Sequence, residues 1–187
     1  MTEINWIASI IASTGFSCTR CGTCCSSGDG DANLVMVTPD EIRKIMGASG
    51  QSWDEIAEPY PEKIPREGGR VFTIGWCLVR RNGICGFYED GACRIYEHRP
   101  WICRTYPFSL DGDTVLTHPC PGLGCTITRK DARAIARDLI KRKNFERVDE
   151  EKIRRVLQEN PVPPEKFVVI DNEGIKVPQK KPHKSTV

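Results

Sequence analysis

Four of the ten cysteines in this chain crowd into one short stretch, Cys18, Cys21, Cys24 and Cys25, spelling C-x2-C-x2-C-C. Tight turns between cysteines so spaced aim their sulfurs toward a common point, and thiols crowded in this way signal a metal before anything else. Four more, Cys85, Cys93, Cys103 and Cys120, lie where Gly, Pro, Arg and aromatic residues leave little helical period. Together the eight can furnish two four-thiolate sites. A disulfide framework is the rival use of these residues. Ten cysteines in 187 residues are about 5%, below the roughly 8–10% that marks a small secreted scaffold, and the vicinal pair Cys24-Cys25 can close only a strained local ring.

The chain's length suits one domain, and 39% apolar residues support only a modest core, so metal is expected to supply part of the cohesion. The opening Met1-Thr-Glu-Ile-Asn-Trp lacks the basic start of a signal peptide, and Ile7 to Ile11 is too short and too broken by Ala and Ser to span a bilayer. No membrane span is expected, and the location expected is cytoplasmic, where thiols stay reduced. Charge is unevenly placed. Residues 1–128 hold 11 basic and 15 acidic side chains, whereas 129–187 hold 16 and 10. The basic C-terminal helices offer a surface to a protein partner of unknown identity. No aromatic interleaving or nucleic-acid motif accompanies them, so nucleic acid is not the expected partner.

Periodicity predicts an α+β fold with few short strands, a small irregular metal-organised domain flanked by helices. A helix is expected over residues 3–13, carrying Ile4, Trp6, Ile7, Ile10 and Ile11. A loop from Ser26 and a strand over Leu34 to Val37 follow. Thr38-Pro39-Asp40-Glu41 is a capping box that starts a helix, expected to stop at Gly47. A second helix over Ser52 to Glu58 and a strand over Arg70 to Val79 come next, with a turn or two of helix near Ile95 to Trp101. Two helices, Arg129 to Lys143 and Asp149 to Glu159, carry apolar stripes. Past Pro161 come one strand candidate, Lys166 to Ile170, and a tail expected to be disordered. The organisation expected is 1–128 as the cysteine-cluster domain, 129–160 as its packed helical extension, and 161–187 as strand candidate and basic tail.

Local patterns narrow the chemistry by exclusion. A ferredoxin run needs its fourth Cys three residues after the third and followed by Pro, which Cys25 is not. A radical enzyme using S-adenosylmethionine opens with a three-residue gap. A zinc ribbon has two separated C-x2-C knuckles, and only one is present. The knot read with Cys85-Gly-Phe-Tyr-Glu-Asp-Gly-Ala-Cys93-Arg-Ile-Tyr-Glu-His-Arg-Pro-Trp-Ile-Cys103-Arg-Thr-Tyr-Pro-Phe, and with Cys120-Pro-Gly after it, resembles the cysteine-cluster family named for its CxxCxxCC knot, a zinc- or iron-chelating domain. The resemblance covers about residues 16 to 125 and implies Cys18, Cys21, Cys24, Cys25, Cys85, Cys93, Cys103 and Cys120 as metal ligands. Cys77 and Cys125 depart from the pattern and read as buried or free thiols. The family is grouped with flagellin lysine N-methylases, which implies an enzymatic alternative.

Thiolate sites carry net negative charge, so Arg99 and Arg104 are expected to bind the cofactor by offsetting it, unless they pair with Glu89, Asp90 or Glu97. Tyr96, Tyr106 and Phe108 are expected to wall off water. His118 is the histidine placed near the cysteines, and reads first as a hydrogen-bonded loop residue. Single cysteines spread over a long stretch suit an iron–sulfur cluster such as [4Fe-4S] better than zinc. The expected role is redox or metal handling. Alternatives are a metal-stabilised adaptor that docks a protein partner, or a lysine methylase using S-adenosylmethionine, for which Val168-Val-Ile-Asp171 offers only a strand-plus-acid match.

Overall fold

The isoleucine stripe near the N-terminus winds Glu3–Thr14 into helix α1, with Ile7, Ala8 and Ile11 buried. The computed structural model describes residues 2–26, 34–159, 163 and 167–178. Thr23–Ser26 makes a single turn, α2, and Met36–Val37 a short strand, β1. Most of the loop expected after Ser26 lies outside the described residues, as does the basic tail expected beyond residue 178.

Helix α3, Pro39–Ser49, begins at the capping box: Thr38 Oγ1 accepts from the Glu41 amide at 3.4 Å, and Glu41 Oε2 accepts from the Thr38 amide at 3.0 Å. It does not stop at Gly47. It runs on to Gly50, whose φ of 71° and ψ of 5° give the left-handed cap. One glycine inside a helix costs about 1 kcal/mol, which the burial of Ile42 and Ile45 outweighs. Thr38→Ala is expected to cost about 1 kcal/mol, read as a lowered denaturation midpoint.

Trp53–Ile56 forms one turn, α4, and the chain then turns extended as strand β2, Ala57–Pro59, where helix to Glu58 is expected. Strand pairing overrides helix propensity there, since Ala57 lies opposite Leu78 and Pro59 opposite Trp76. Strand β3 is Ile64–Arg66. The strand expected over Arg70 to Val79 is two, β4 Arg70–Ile74 and β5 Trp76–Leu78. Gly75 breaks it with a φ of 77°, which a strand does not accommodate.

Beyond Val79 the Gly and Pro punctuation produces small hairpins: β6 Arg80–Arg81 with β7 Ile84–Cys85, and β8 Tyr88–Glu89 with β9 Ala92–Cys93. Helix α5, Trp101–Thr105, has Pro100 as its N-cap residue. Strands β10 Phe108–Asp111 and β11 Thr114–Thr117 make a further hairpin. A single helix α6, Arg129–Glu159, replaces the two helices expected. No Gly or Pro separates them, and Arg142 Nε donates at 2.6 Å to Oε1 of Glu146, which lies within the supposed gap. Strands β12 Phe167–Asp171 and β13 Gly174–Lys176 complete the α+β fold.

The chain divides into two units, each assembled from two stretches: Met1–Val35 with Val79–Asp149, and Met36–Leu78 with the described part of Glu150–Val187. In the first, Ile7 and Ile11 of α1, Phe108 of β10 and Ala132, Ala136 and Leu139 of α6 form an apolar core. Phe16 packs edge-on against Phe108, with ring centroids 5.7 Å apart. Phe108 therefore belongs to this core.

In the second unit, a sheet of order β13-β12-β4-β3 aligns β12 parallel to β4, with Val168 opposite Phe72. Phe72, Val168 and Ile170 are buried against Ile153, Val156 and Leu157. A second sheet has the order β1-β5-β2. Asp171 is buried, accepting from Trp76 Nε1 at 2.8 Å and from the Glu173 amide at 2.9 Å. These bonds occupy the carboxylate that a strand-plus-acid nucleoside site would use. Among the described residues no helix is long and apolar enough to cross a membrane.

Candidate metal centre

All eight cysteines of the family pattern fall in the first unit, on turns and hairpins rather than on long elements. Gly22 opens the turn that carries Cys24 and Cys25, its carbonyl accepting from the Cys25 and Ser26 amides at 2.8 and 2.9 Å. This turn packs on β7, so Cys24 and Cys25 face the strand bearing Cys85. Cys93 lies on β9 opposite Tyr88, and Cys103 lies on α5.

Cys120 reaches the knot through a backbone bridge. The Ser17 amide donates to Gly122 O at 3.0 Å and the Gly124 amide to Gly15 O at 3.0 Å, while Phe16 pairs with Leu123. Gly122 permits this approach because a Cβ there would stand 2.2 Å from Ser17 O. The sequence marks Gly122 as a turn signal but not as the point where two chains meet.

Amides favour the metal-binding form at four of the sulfurs. Cys21, Cys85, Cys93 and Cys120 each accept a hydrogen bond from the amide two residues on, from Thr23, Phe87, Ile95 and Gly122 respectively. For Cys120 the nitrogen to sulfur distance is 3.4 Å. An N–H aimed at sulfur favours thiolate over thiol, and thiolate is the form that ligates. Burial works against it at Cys85, Cys93 and Cys120, pushing each thiol up. At Cys21 the Thr23 hydroxyl, 3.3 Å from the sulfur, leads in holding the thiol low.

The sulfurs also feel one another's charge. Cys103 is pushed up by burial and then by Cys85, Cys24 and Cys93, with Arg99 opposing. Cys120 is raised by burial and by Cys21, Cys18 and Cys24. Cys24 and Cys25 stand 3.8 Å apart. Their mutual hydrogen bond draws Cys24 down to about 6 and pushes Cys25 up. Cys24 thus neighbours Cys85, Cys93 and Cys103 as well as Cys21 and Cys120.

Arg99 is positioned as a charge partner. Its Nε donates to Tyr96 O at 2.7 Å, its guanidinium lies 3.6 Å from the Tyr96 ring centroid, and it favours the thiolates of Cys24, Cys93 and Cys103. Arg20, which the sequence reading does not single out, lies over the same ring at 4.6 Å, and Tyr96 hydrogen-bonds Cys18. Arg104 is engaged elsewhere: its Nη2 donates to Asp138 at 2.9 Å and its guanidinium lies over Trp101. Glu89 pairs with Arg94 at 3.1 Å. Tyr106 donates through its hydroxyl to Pro119 O, just before Cys120.

The remaining candidates separate by their bonding. Cys77 lies in the second unit, buried, and donates to Glu58 O at 3.7 Å and Pro59 O at 3.9 Å. A sulfur that donates to carbonyls is a protonated thiol, as expected of a buried structural cysteine. Cys125 is a free, half-buried thiol whose carbonyl abuts Gly15. His118 Nε2 is 2.8 Å from Ser109 Oγ and its ring stacks on Tyr106, so it is a hydrogen-bonded loop histidine.

The donor chemistry fits zinc or iron. Soft sulfur is gathered on adjoining turns, four of the sulfurs hold an amide donor, and a guanidinium stands by. Among the described residues no trio of His, Cys, Asp or Glu is already closed to the spacing of a single ion. Gly22 supplies a local test. Its φ is +75° and a Cβ would fall 2.0 Å from Tyr88 Oη. Gly22→Ala is expected to cost about 1–2 kcal/mol from the left-handed backbone alone, and to lower metal content per chain by elemental analysis.

Residues 17–121 match the CxxCxxCC family, described as "Putative zinc- or iron-chelating domain". An uncharacterized protein of Methanocaldococcus jannaschii is 29% identical over 154 residues, which cover 75% of this chain and 77% of that protein. No solved structure matches the chain. With more than half its length matched, and the cysteines of the pattern gathered in one unit with amides turned to their sulfurs, this chain belongs to the CxxCxxCC family of zinc- or iron-chelating domains.

Proposed function

We propose that the thiols of the first unit hold iron–sulfur of the [4Fe-4S] kind, four of the eight to each cluster, and that the protein serves in electron transfer or metal handling in the cytoplasm. The observation that carries this reading is the set of sulfurs at Cys21, Cys85, Cys93 and Cys120, each accepting an amide N–H from two residues on. Four separate turns each direct an amide to sulfur, which favours the thiolate over the thiol. Ligands delivered singly by distant loops suit a bulky cluster better than paired knuckles.

When bound, such a centre supplies a one-electron couple. The chain's own part is to set its charge and its access to water. Amides of Thr23, Phe87, Ile95 and Gly122 stabilise the sulfur charge. Arg99 offsets the charge of Cys24, Cys93 and Cys103. Phe87 and Ile95, both buried beside the ligand hairpins, exclude solvent. Tyr96 lies between Arg20 and Arg99 and reaches Cys18, joining both cations to the knot.

The test is chemical analysis of protein purified without air. Visible charge-transfer absorbance with iron and sulfide in matching amounts supports the reading. Zinc alone, in protein never exposed to oxygen, sinks it and leaves a closed structural site.

A further inference from the structure

The first half of α6 presents Arg129, Lys130, Arg133, Arg137 and Lys141, all exposed. At 3.6 residues per turn these five fall within an arc of about 120° and along about 18 Å of helix. Ala132 and Leu139 of the core lie outside the arc, while Ala136 borders it and the half-buried Ile140 falls within it, so the stripe runs along the edge of the buried face. Like charges four residues apart, Arg129 with Arg133, Arg133 with Arg137, and Arg137 with Lys141, destabilise a helix. Arg129 and Lys130 also stand in the first turn, where the helix dipole disfavours cations.

The acids of the same stretch do not relieve this. Asp138 pairs with Arg104, Glu146 with Arg142, and Asp131 bonds Thr128. Among the described residues no acid lies within ion-pair distance of any of the five cations. The chain therefore maintains on its surface a charge pattern that weakens the helix carrying it.

We infer that this stripe docks an acidic protein. Charge complementarity is the first argument, since an acidic face relieves the repulsion between the five cations. The make-up of the stripe is the second. Val148, 41% exposed, lies on the same arc at its far end, and no aromatic side chain on the arc is available to stack on bases. Arginine, three of the five cations, is enriched at protein interfaces, whereas single-stranded nucleic acid calls for stacking platforms. Next to Lys141 around the helix, Asp138 ties α6 to α5, which bears Cys103, accepting from Arg104 at 2.9 Å. A partner docked on the stripe then lies beside a thiol-bearing element. The inference stands whichever metal the thiols hold.

The experiment uses the full chain with its metal and follows the fluorescence anisotropy of a labelled glutamate-rich peptide. Binding is expected at about 50 mM salt and is expected to weaken markedly at about 300 mM. The triple variant Arg133→Glu, Arg137→Glu, Lys141→Glu is expected to lose about tenfold or more in affinity, with metal per chain unchanged. The neutral triple variant Arg133→Gln, Arg137→Gln, Lys141→Gln is expected to melt no lower than the parent. Three results overturn the inference. They are a peptide affinity indifferent to the charge reversal, tighter binding through these residues of a DNA oligonucleotide than of the peptide, and a neutral variant with a lowered Tm, which would make the stripe structural. Since metal content is read separately, failure here is distinct from failure of the iron–sulfur reading.

Discussion

Cys103→Ser is expected to strip most of the metal from the protein, weakening its hold by roughly a hundredfold or more, since even partners of ligands cost about 10–100-fold when lost. Cys103 lies on α5, where the charges of Cys85, Cys24 and Cys93 all reach it. Serine keeps the shape but replaces a soft, ionisable sulfur with a hard hydroxyl that neither zinc nor iron–sulfur accepts well. Cys21→Ser is expected to act in the same direction. Cys77→Ser is the control, because that thiol donates to Glu58 O and Pro59 O in the second unit. Metal per chain, measured on anaerobic protein, reads the result. Full metal in Cys103→Ser, or an equal loss in Cys77→Ser, would remove the ligand assignment.

Phe72→Ala is expected to cost about 3–5 kcal/mol, the range for truncating a buried aromatic side chain. Phe72 is 1% exposed and packs with Val168 and Ile170, which β12 places parallel to β4. The loss is expected in the second unit, seen as weakened hydrogen-exchange protection of β4 and β12. All eight cysteines of the family pattern lie in the first unit, so folded protein is expected to keep its metal. Metal lost with the sheet still protected would contradict this division.

The sequence carried the local decisions well, because each is made within a few residues. Thr38 and Glu41 cap α3 as their spacing predicts, and the α1 stripe buries Ile7 and Ile11. Where it failed, a distant partner intervened. Ala57 to Pro59 left the helix for a strand because β5 lies beside it. The gap expected between two C-terminal helices closed because no Gly or Pro forces it, and Glu146 within it pairs back to Arg142. Arg104 is adjacent to Cys103 in sequence yet is paired with Asp138, and Arg20 joined Arg99 at Tyr96 without any signal along the chain.

The residues able to ligate metal, and the soft chemistry they imply, were written in the spacing of Cys18 to Cys25 and in the motif from Cys85 to Cys120, because ligand type is a property of the side chain itself. Which sulfurs accept an amide was settled by how each turn closes. That Cys77 stands in another unit, as a donor to carbonyls, and that Cys120 arrives beside the knot through Gly15 and Gly122, depended on tertiary structure. Backbone approach and hydrogen-bond direction exist only once distant segments have met.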